Sequence, residues 1–329
     1  MRSGHGRPVF IHSMWRSCGT YVFNKFRHDD SLHPYFEPCS EFLAAASPED
    51  ISAAIPDELR GNLRHTGADR QSFEAFPFTE KCGVRGFQDR FAYDRFHLSR
   101  DGDDPELRAY IKILLEHAAS QGRTAVAKCC RFGLRAEWLD RVFKPVSIYV
   151  VRNPDAIFCS YWSFGGARSY FLIASLLIVA RNRHLALFED IGEELQVPLL
   201  AGRPLSEAFA AVSRLAAALS AQDFRDLVFV LWAVTLVHNL GVAELVVDID
   251  LLVESADYRR STEERLCALV GRRFSFADVR RTDAGWSPGR MVSQRSATCA
   301  RHALARMAQR DDRGWTLSDK SRAALQALF

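Results

Sequence analysis

Basic and hydroxyl side chains occur together in a short polar segment near the N-terminus. Arg16, Ser17 and Thr20 lie within five consecutive positions. A guanidinium group can fork onto phosphate or sulfate oxygens, and hydroxyl groups can donate to the same oxygens. These residue types indicate a site for an oxyanion, although an ordinary turn with an exposed arginine would have the same composition.

A second basic residue follows the most confidently predicted strand of the chain. Arg152 comes directly after Val146–Val151, and Ser160 lies eight positions later in a helical pattern. Asn153 and Pro154 are residue types that begin helices. Arg152 and Ser160 are candidates for binding a second phosphate, with a simply capped helix as the alternative.

A carboxylate lies in a proline-containing segment downstream of the first site. Glu37 stands between Phe36 and Pro38, and Glu41 follows four residues later. Partial burial would raise the pKa of Glu37 and make it usable as a general base. A surface glutamate in a turn is the alternative.

The elements that must position these residues are strands separated by helices. This alternation predicts an α/β fold, with a central parallel sheet, helices on both faces and helical insertions. Ligands of such sheets bind beyond the carboxyl ends of the strands, where the candidate residues lie. Predicted strands are Val9–Ile11, Cys82–Phe87, Thr124–Cys130, Val146–Val151 and Glu244–Asp250, and predicted helices include Pro105–Ser120, Ala136–Phe143, Ala156–Ala180, Leu205–Leu219, Asp226–Asn239 and one capped by Ser261.

Composition indicates an ordinary globular protein. The chain has 329 residues, 48% hydrophobic and 25% charged, with a net charge of +3 that is too small to imply nucleic-acid binding. The eight cysteines show no Cys-x-x-Cys spacing, which indicates reduced thiols. We expect one domain over residues 1–329, because no internal repeat or low-complexity linker is evident. The reduced thiols favour a cytoplasmic protein, and no membrane anchor is expected because no signal core or spanning run is present. The oligomeric state cannot be predicted.

The two basic segments together resemble the signatures of a known enzyme family. Sulfotransferases that use 3′-phosphoadenosine-5′-phosphosulfate (PAPS) typically have [KR]-S-G-T-T-W after their first strand, and later R-[ND]-P with a serine at the eighth position after the arginine. Here the first reads Arg-Ser-Cys-Gly-Thr-Tyr over 16–21, and the second reads Arg-Asn-Pro over 152–154 with Ser160. The resemblance covers about residues 8–40 and 124–162, and its first part is a P-loop-like strand-loop-helix.

The resemblance implies roles for both segments. Backbone N–H groups from Ser17 to Thr20, including those of Cys18 and Gly19, would bind the 5′-phosphate. Arg16 would neutralise the leaving group, and Tyr21 would lie against the adenine. Arg152 and Ser160 would hold the 3′-phosphate that distinguishes PAPS from ATP.

The resemblance also bears on the general base. Family members that sulfate protein tyrosine use a glutamate roughly twenty residues after the loop arginine, and Glu37 lies 37 − 16 = 21 positions after Arg16. Glu37 is therefore the predicted base, with Glu41 in reserve. Arginine and backbone donors would meet the developing charge, so no metal is expected.

Two departures from the family pattern affect the expected activity. Cys18 stands where glycine is usual, and we expect Gly19 beside it to supply the backbone freedom the loop needs. The family's C-terminal phosphate-binding loop is not evident, and Arg290 is the nearest candidate for its ligand.

Three functions are consistent with these features. The first is sulfuryl transfer from PAPS to a hydroxyl on a small molecule, glycan or protein. The second, motivated by Cys18, is a PAPS-binding protein without turnover that acts as a sensor or interaction module. A P-loop kinase or NTPase ranks last, because the loop lacks the first glycine and the lysine of G-x-x-x-x-G-K-[ST].

Overall fold

A five-stranded parallel sheet lies at the centre of the part of the chain that is described. The computed structural model describes residues 6–44, 47, 75–79, 82–280 and 293–306. The strands lie in the order β2-β3-β1-β4-β5. They are β1 (Val9–Ser13), β2 (Leu32–Phe36), β3 (Thr124–Cys129), β4 (Val146–Val151) and β5 (Leu245–Asp248).

The register brings the carboxyl ends of the strands to one edge. Phe36 pairs with Lys128, and Val151 pairs with Asp248. β1 lies between β3 and β4, so the first basic segment leaves the sheet at its middle strand. All residues of β1 and β4 are buried, as expected for a parallel sheet covered on both faces. The predicted α/β fold is confirmed.

Helices connect and cover the strands. Twelve α-helices lie within the described residues, and short 3₁₀ segments occur at Glu41–Leu43, Cys130–Arg135 and Gly166–Arg168. The α-helices are α1 (Gly19–Arg27), α2 (Arg90–Tyr93), α3 (Pro105–Ser120), α4 (Ala136–Phe143), α5 (Pro154–Trp162), α6 (Tyr170–Asn182), α7 (Ala186–Glu194), α8 (Leu205–Ala216), α9 (Ala221–Leu240), α10 (Ile249–Glu254), α11 (Ala256–Val270) and α12 (Gln294–Arg306).

The buried apolar side chains form two clusters. One contains strand residues together with α1, α3 and α4, including the fully buried Trp138. The other lies among α6, α7, α8, α9 and α12 and includes Trp232. The second cluster also contains Tyr149 and Val151 of β4 and Val246 of β5, so these helices pack on the sheet.

Some predicted elements differ from the structure. Residues Cys82–Phe87 form no strand; Val84 makes one isolated bridge to Phe78, because Gly83 and Gly86 take positive φ angles that turn the chain. Ser261 does not cap a helix but lies inside α11, whose cap is Ser255, with its side chain accepting from Tyr258 N. β2 was not predicted as a strand.

The helix predicted over Ala156–Ala180 is interrupted. Gly165 and Gly166 take φ angles of 109° and 58°, which end the helical path and separate α5 from α6. The break positions Phe164 and Tyr170 beside the site described below. Within the residues described, no helix is both long and apolar enough to cross a membrane.

Candidate functional site

Charged residues follow the carboxyl ends of all five strands. Arg16 follows β1, Glu37 follows β2, Arg131 follows β3, Arg152 follows β4 and Asp250 follows β5. In the spatial order of the strands, the three arginines lie in the middle and the two carboxylates at the flanks. Positive charge is therefore concentrated where open α/β sheets bind their ligands.

The loop between β1 and α1 presents a helix N-terminus. The first helical hydrogen bond runs from Val22 N to Cys18 O at 3.2 Å, so the N–H groups of Gly19 and Thr20 precede the intrahelical ladder. Ser17 N donates instead to Met14 O at 3.3 Å. No acidic residue lies in the first turn of α1, so the dipole of its nine residues favours an anion there.

Unusual backbone conformations concentrate at the predicted site. Arg16, Cys18 and Glu37 have φ angles of 62°, 63° and 48°, and they are half of the six described non-glycine residues with positive φ. Each such residue costs on the order of 1–3 kcal/mol, and such strain commonly occurs at functional positions. Cys18 thus adopts the conformation that glycine prefers, while retaining its side chain.

Gly19 serves the loop through its size. A Cβ atom there would lie 2.3 Å from Ser13 Oγ and 3.0 Å from Lys128 Cε. Gly19 begins α1 and is not among the glycines with positive φ. The expectation that Gly19 supplies backbone freedom was therefore wrong; it lets the start of α1 approach β1 and β3 closely.

The side chain of Arg16 reaches the second basic segment. Its Nε donates to Ser160 Oγ at 2.9 Å. Its guanidinium carbon lies 4.5 Å from the ring centroid of Phe164 and 5.7 Å from that of Phe171. These contacts orient the guanidinium group toward α5, between the two motifs.

Arg152 joins the same cluster from β4. Its Nη1 donates to Arg16 O at 3.1 Å, and its own carbonyl oxygen accepts from Trp232 Nε1 at 3.0 Å. Asn153 caps α5 by accepting from Asp155 N, and its N–H donates to Asp250 Oδ2 at 2.9 Å. The predicted helix start at Asn153-Pro154 is confirmed.

The thiol of Cys18 interacts electrostatically with these arginines and with Asp250. Burial raises its pKa, although the positive charges of Arg152 and Arg16 act in the opposite direction. Cys18 therefore stays protonated and neutral at pH 7, so it adds no negative charge to the anion site.

Tyr21 lies on another face of α1. Its hydroxyl donates to Asp278 Oδ1 at 2.8 Å, and its ring centroid lies 6.0 Å from that of Phe276. Lys25 pairs with the same carboxylate at 2.6 Å. These contacts fix the Tyr21 ring against residues 276–278, and its role at the adenine stays a prediction.

Glu37 is buried in contact with two cations. Oε1 is paired with Lys128 Nζ, while Oε2 accepts from Cys130 N at 3.1 Å and lies 3.5 Å from Arg131 Nη1. Burial raises the pKa of Glu37, but Lys128 and Arg131 outweigh burial and the net pKa is lowered. The expectation of a raised pKa was therefore wrong, because two cations accompany the carboxylate into the interior.

Glu41 takes part in a neighbouring cluster. Tyr93 and Tyr170 both donate their hydroxyl protons to Oε1 at 2.6 Å, and Arg131 Nη2 pairs with Oε2. Tyr170 also lies against Phe42, with 6.1 Å between ring centroids. Glu41 is therefore anchored like Glu37, but chiefly by hydroxyl donors.

The structure brings most predicted site residues together. Arg16 contacts both Arg152 and Ser160, and Lys128, which is paired with Glu37, lies against Gly19 at the start of α1. Tyr21 lies to one side, and Arg290 lies outside the described residues. The sequence reasoning missed Lys128, although a single lysine in an otherwise uncharged strand signals a paired internal charge; nothing in the sequence marked Tyr93 or Tyr170.

Comparisons with known proteins add little to this geometry. Neither a family model nor a curated protein matches the sequence. One solved structure, described as sulfotransferase STF9 from Mycobacterium avium, is 14% identical; the alignment covers 98% of this chain and 75% of that one, with a TM-score of 0.39. A likeness this low carries no argument, so the fold class rests on the sheet itself. Among the described residues, no group of three or more His, Cys, Asp or Glu could hold a metal ion.

Proposed function

We propose that this chain is a sulfotransferase that moves a sulfuryl group from PAPS to a hydroxyl acceptor. One observation carries the proposal: Arg16 contacts both Ser160 and Arg152, across 2.9 Å and 3.1 Å. Two short motifs that are far apart in the sequence and resemble the two phosphate sites of one cofactor thus form one cluster. PAPS would supply the activated sulfuryl group, and its leaving group would be the 3′,5′-bisphosphate.

The donor set fits such a cofactor. A dianionic 5′-group needs N–H donors at a helix N-terminus and a nearby cation, which Gly19, Thr20 and Arg16 provide. A 3′-phosphate needs a second cation with a hydroxyl, which Arg152 and Ser160 provide. Arg152 is 7% exposed, so its charge is little screened by solvent.

Within this function each residue has a distinct task. Arg16 neutralises the charge that develops on the leaving oxygen of the cofactor. To contact that oxygen, the guanidinium group would exchange its hydrogen bond with Ser160 for one with the cofactor. Lys128 keeps a positive charge beneath the loop. The reaction resembles phosphoryl transfer, in which positioning and electrostatic stabilisation provide most of the rate.

Glu37 is the proposed general base, with Glu41 in reserve. A lowered pKa keeps Glu37 ionised at pH 7, so it can accept the proton of the acceptor hydroxyl, although a lower pKa weakens it as a base. Glu41 already accepts hydrogen bonds from two phenolic hydroxyl groups. A general base must accept the same kind of hydrogen bond from the hydroxyl group of the substrate. The acceptor itself would be a small molecule, a glycan or a protein.

Calorimetry tests the cofactor class. We expect adenosine 3′,5′-bisphosphate to bind at least tenfold more tightly than ATP or adenosine 5′-phosphate. Arg152→Ala should abolish the preference for the 3′-phosphate while leaving the affinity for adenosine 5′-phosphate unchanged. Arg141→Ala, which removes a guanidinium that donates to Gly102 O away from the site, is the matched control. Equal binding of ATP would contradict the roles of Arg152 and Ser160.

A cofactor-binding protein without turnover is the second candidate. The left-handed conformation of Cys18 and the two cations on Glu37 favour it, since both features impede a fast chemical step. Transfer of labelled sulfate from PAPS to a panel of phenols, sugars and alcohols separates the two functions. Tight binding of the bisphosphate with no transfer to any acceptor would favour the second.

A further inference from the structure

Arg131 occupies a special position between the two candidate bases. It is the second residue of the 3₁₀ turn after β3, Cys130–Arg135, and is 1% exposed. Nη1 lies 3.5 Å from Glu37 Oε2, whereas Nη2 is paired with Glu41 Oε2. One guanidinium group therefore spans both carboxylates.

Aromatic rings and hydroxyl groups hold this guanidinium group in place. Its carbon lies 5.2 Å from the ring centroids of both Trp15 and Tyr93. Nη2 also lies 3.2 Å from the hydroxyl oxygen of Tyr170, which itself donates to Glu41. The plane of the Arg131 guanidinium group is thus fixed by residues of the loop after β1, of α2 and of α6.

The electrostatic need for Arg131 differs between the two carboxylates. Glu37 has a second cation, Lys128, on its other oxygen. Glu41 has Arg131 as the cation that it contacts, together with two phenols. Glu37 is buried, and a buried carboxylate that loses one of its two cations is more readily protonated.

We propose that Arg131 is a positioning residue that keeps Glu37 charged and holds the carboxylates of Glu37 and Glu41 at a fixed separation beside the loop between β1 and α1. The proposal rests on the proposed function only where it concerns catalysis; the protonation of Glu37 is independent of it. An arginine suits this task because its two terminal nitrogens reach two partners at once, whereas a lysine presents a single charge to one of them.

Several other groups act on the same carboxylates and must be counted in any pH experiment. A lysine and two thiols from β3 and the residue after it, a thiol from the turn after β2, and phenols from α2 and α6 lie near Glu37 or Glu41. These groups are Lys128, Cys39, Cys129, Cys130, Tyr93 and Tyr170. The phenols and the thiols Cys129 and Cys130 have raised pKa values, with burial as the main cause, so Glu37 is the group whose titration Arg131 controls at acid pH.

Arg135 offers a matched control four residues along the same turn. It is equally buried, at 1% exposed, but its hydrogen bonds go to the backbone carbonyl oxygens of Phe91, Asp94 and Arg95. Replacing either arginine removes a comparable volume and an internal charge. Replacement of Arg131 alone removes a cation from two carboxylates.

Urea unfolding at two pH values tests the proposal without an activity assay. Glu37 has a lowered pKa in the folded protein, so its contribution to stability is present above the unfolded pKa and is lost as the pH falls through the folded one. In Arg131→Met, Lys128 is the cation that still opposes the effect of burial on Glu37, so Glu37 should bind a proton on folding. The variant should therefore lose more stability at about pH 8 than at about pH 5. Burial raises the pKa of Cys39, but a hydrogen bond with Cys129 and the charges of Arg135 and Arg131 lower it. Arg135→Met therefore controls for this thiol, and a loss in Arg131→Met that depends on pH no more than the loss in Arg135→Met would overturn the proposal.

The pH dependence of kcat/KM provides a second test. The acid limb of kcat/KM should move up by about 1–3 pH units in Arg131→Met and by less in Arg131→Lys, and should not move in Arg135→Met. An active wild type whose acid limb is unchanged in Arg131→Met contradicts the role of Arg131. An inactive wild type contradicts the sulfotransferase function alone, and the unfolding comparison then decides on Arg131.

Discussion

Arg16 donates from Nε to the hydroxyl oxygen of Ser160 across 2.9 Å, although 144 positions separate the two residues in the chain. The bond joins the loop after β1 to the second turn of α5. Both partners are polar groups that an anion would also engage. Binding of an anion between them therefore exchanges a neutral hydroxyl partner for a charged one, which is the stronger interaction for a guanidinium group.

Replacement of Arg16 by lysine should separate binding from turnover. Lysine keeps the charge but loses the fork that reaches Ser160 and lies over Phe164. We expect sulfuryl transfer to fall about 10²-fold, as for removal of one transition-state donor, while affinity for the bisphosphate changes by only a few fold. Transfer assays and calorimetry measure the two quantities. Arg168→Lys, in the neighbouring 3₁₀ segment, is the control, and an equal fall in both variants would contradict a specific role for Arg16.

Substitutions at Cys18 should reveal the cost of its left-handed backbone. Cys18→Gly should not destabilise the protein, since glycine adopts a φ of 63° without strain, and should tighten bisphosphate binding a few fold. Cys18→Val should lower the free energy of unfolding by about 1–3 kcal/mol, because β-branched residues are least tolerant of this region. Denaturant unfolding checks both. A stable Cys18→Val variant would mean that the loop takes another conformation in solution.

The paired variants Glu37→Gln and Glu41→Gln should identify the base. Glutamine keeps an oxygen for Lys128 or Arg131 but cannot accept a proton from the acceptor hydroxyl. For Glu37→Gln we expect turnover to fall by about 10²–10⁴-fold, with bisphosphate affinity retained. The same loss in Glu41→Gln alone, with Glu37→Gln active, would reassign the base to Glu41.

The pH dependence of stability in Glu37→Gln follows from its lowered pKa. The stabilisation that the carboxylate contributes is present above the unfolded pKa of about 4.3 and disappears as the pH falls through the lower folded value. The difference in unfolding free energy between wild type and variant should therefore be largest near pH 7 and shrink as the pH falls below about 4. A difference that grows on acidification would show that the cations do not control this carboxylate.

Trp232→Phe should weaken the second motif from a distance. The indole N–H donates to Arg152 O at 3.0 Å, inside a fully buried helix-to-strand contact. Phenylalanine has no such donor, so the carbonyl oxygen of Arg152 would lose this hydrogen bond. We expect the free energy of unfolding to fall by about 1–3 kcal/mol. Bisphosphate affinity should fall, whereas affinity for adenosine 5′-phosphate should not. Trp138→Phe, whose ring lies in the other core cluster, is the control, and a similar effect there would assign the loss to packing alone.

Much of the fold follows from local sequence pattern. Val146–Val151 and Pro105–Ser120 were predicted with the bounds that the structure shows, because an apolar run of β-branched residues and a capped amphipathic helix are determined by their own residues. β2 was not recognised as a strand because Pro34 lies within it. A proline is tolerated there since β2 is at the edge of the sheet and has one paired neighbour.

The site was predictable in part for a similar reason. Arg16, Arg152 and Ser160 belong to motifs with their own local signals, whereas their contact depends on the order of the strands. The predicted direction of the pKa shift of Glu37 was wrong because Lys128 lies close to Glu37. This proximity arises from the register of β2 beside β3, which cannot be read from the sequence alone. Tyr93 and Tyr170 reach Glu41 from separate helices, so only the tertiary structure relates them.

The distribution of charge along the strand ends has a consequence for how a ligand arrives. The arginines lie above the three inner strands and Glu37 and Asp250 above the outer two, so the electrostatic potential should be most positive at the middle of the edge. Such a field attracts a polyanion to the middle and disfavours its approach at either flank, and salt screens it over about 10 Å at 0.1 M. Association of a nucleotide bisphosphate should therefore slow steeply with ionic strength, while its dissociation rate, governed by short contacts, should change little.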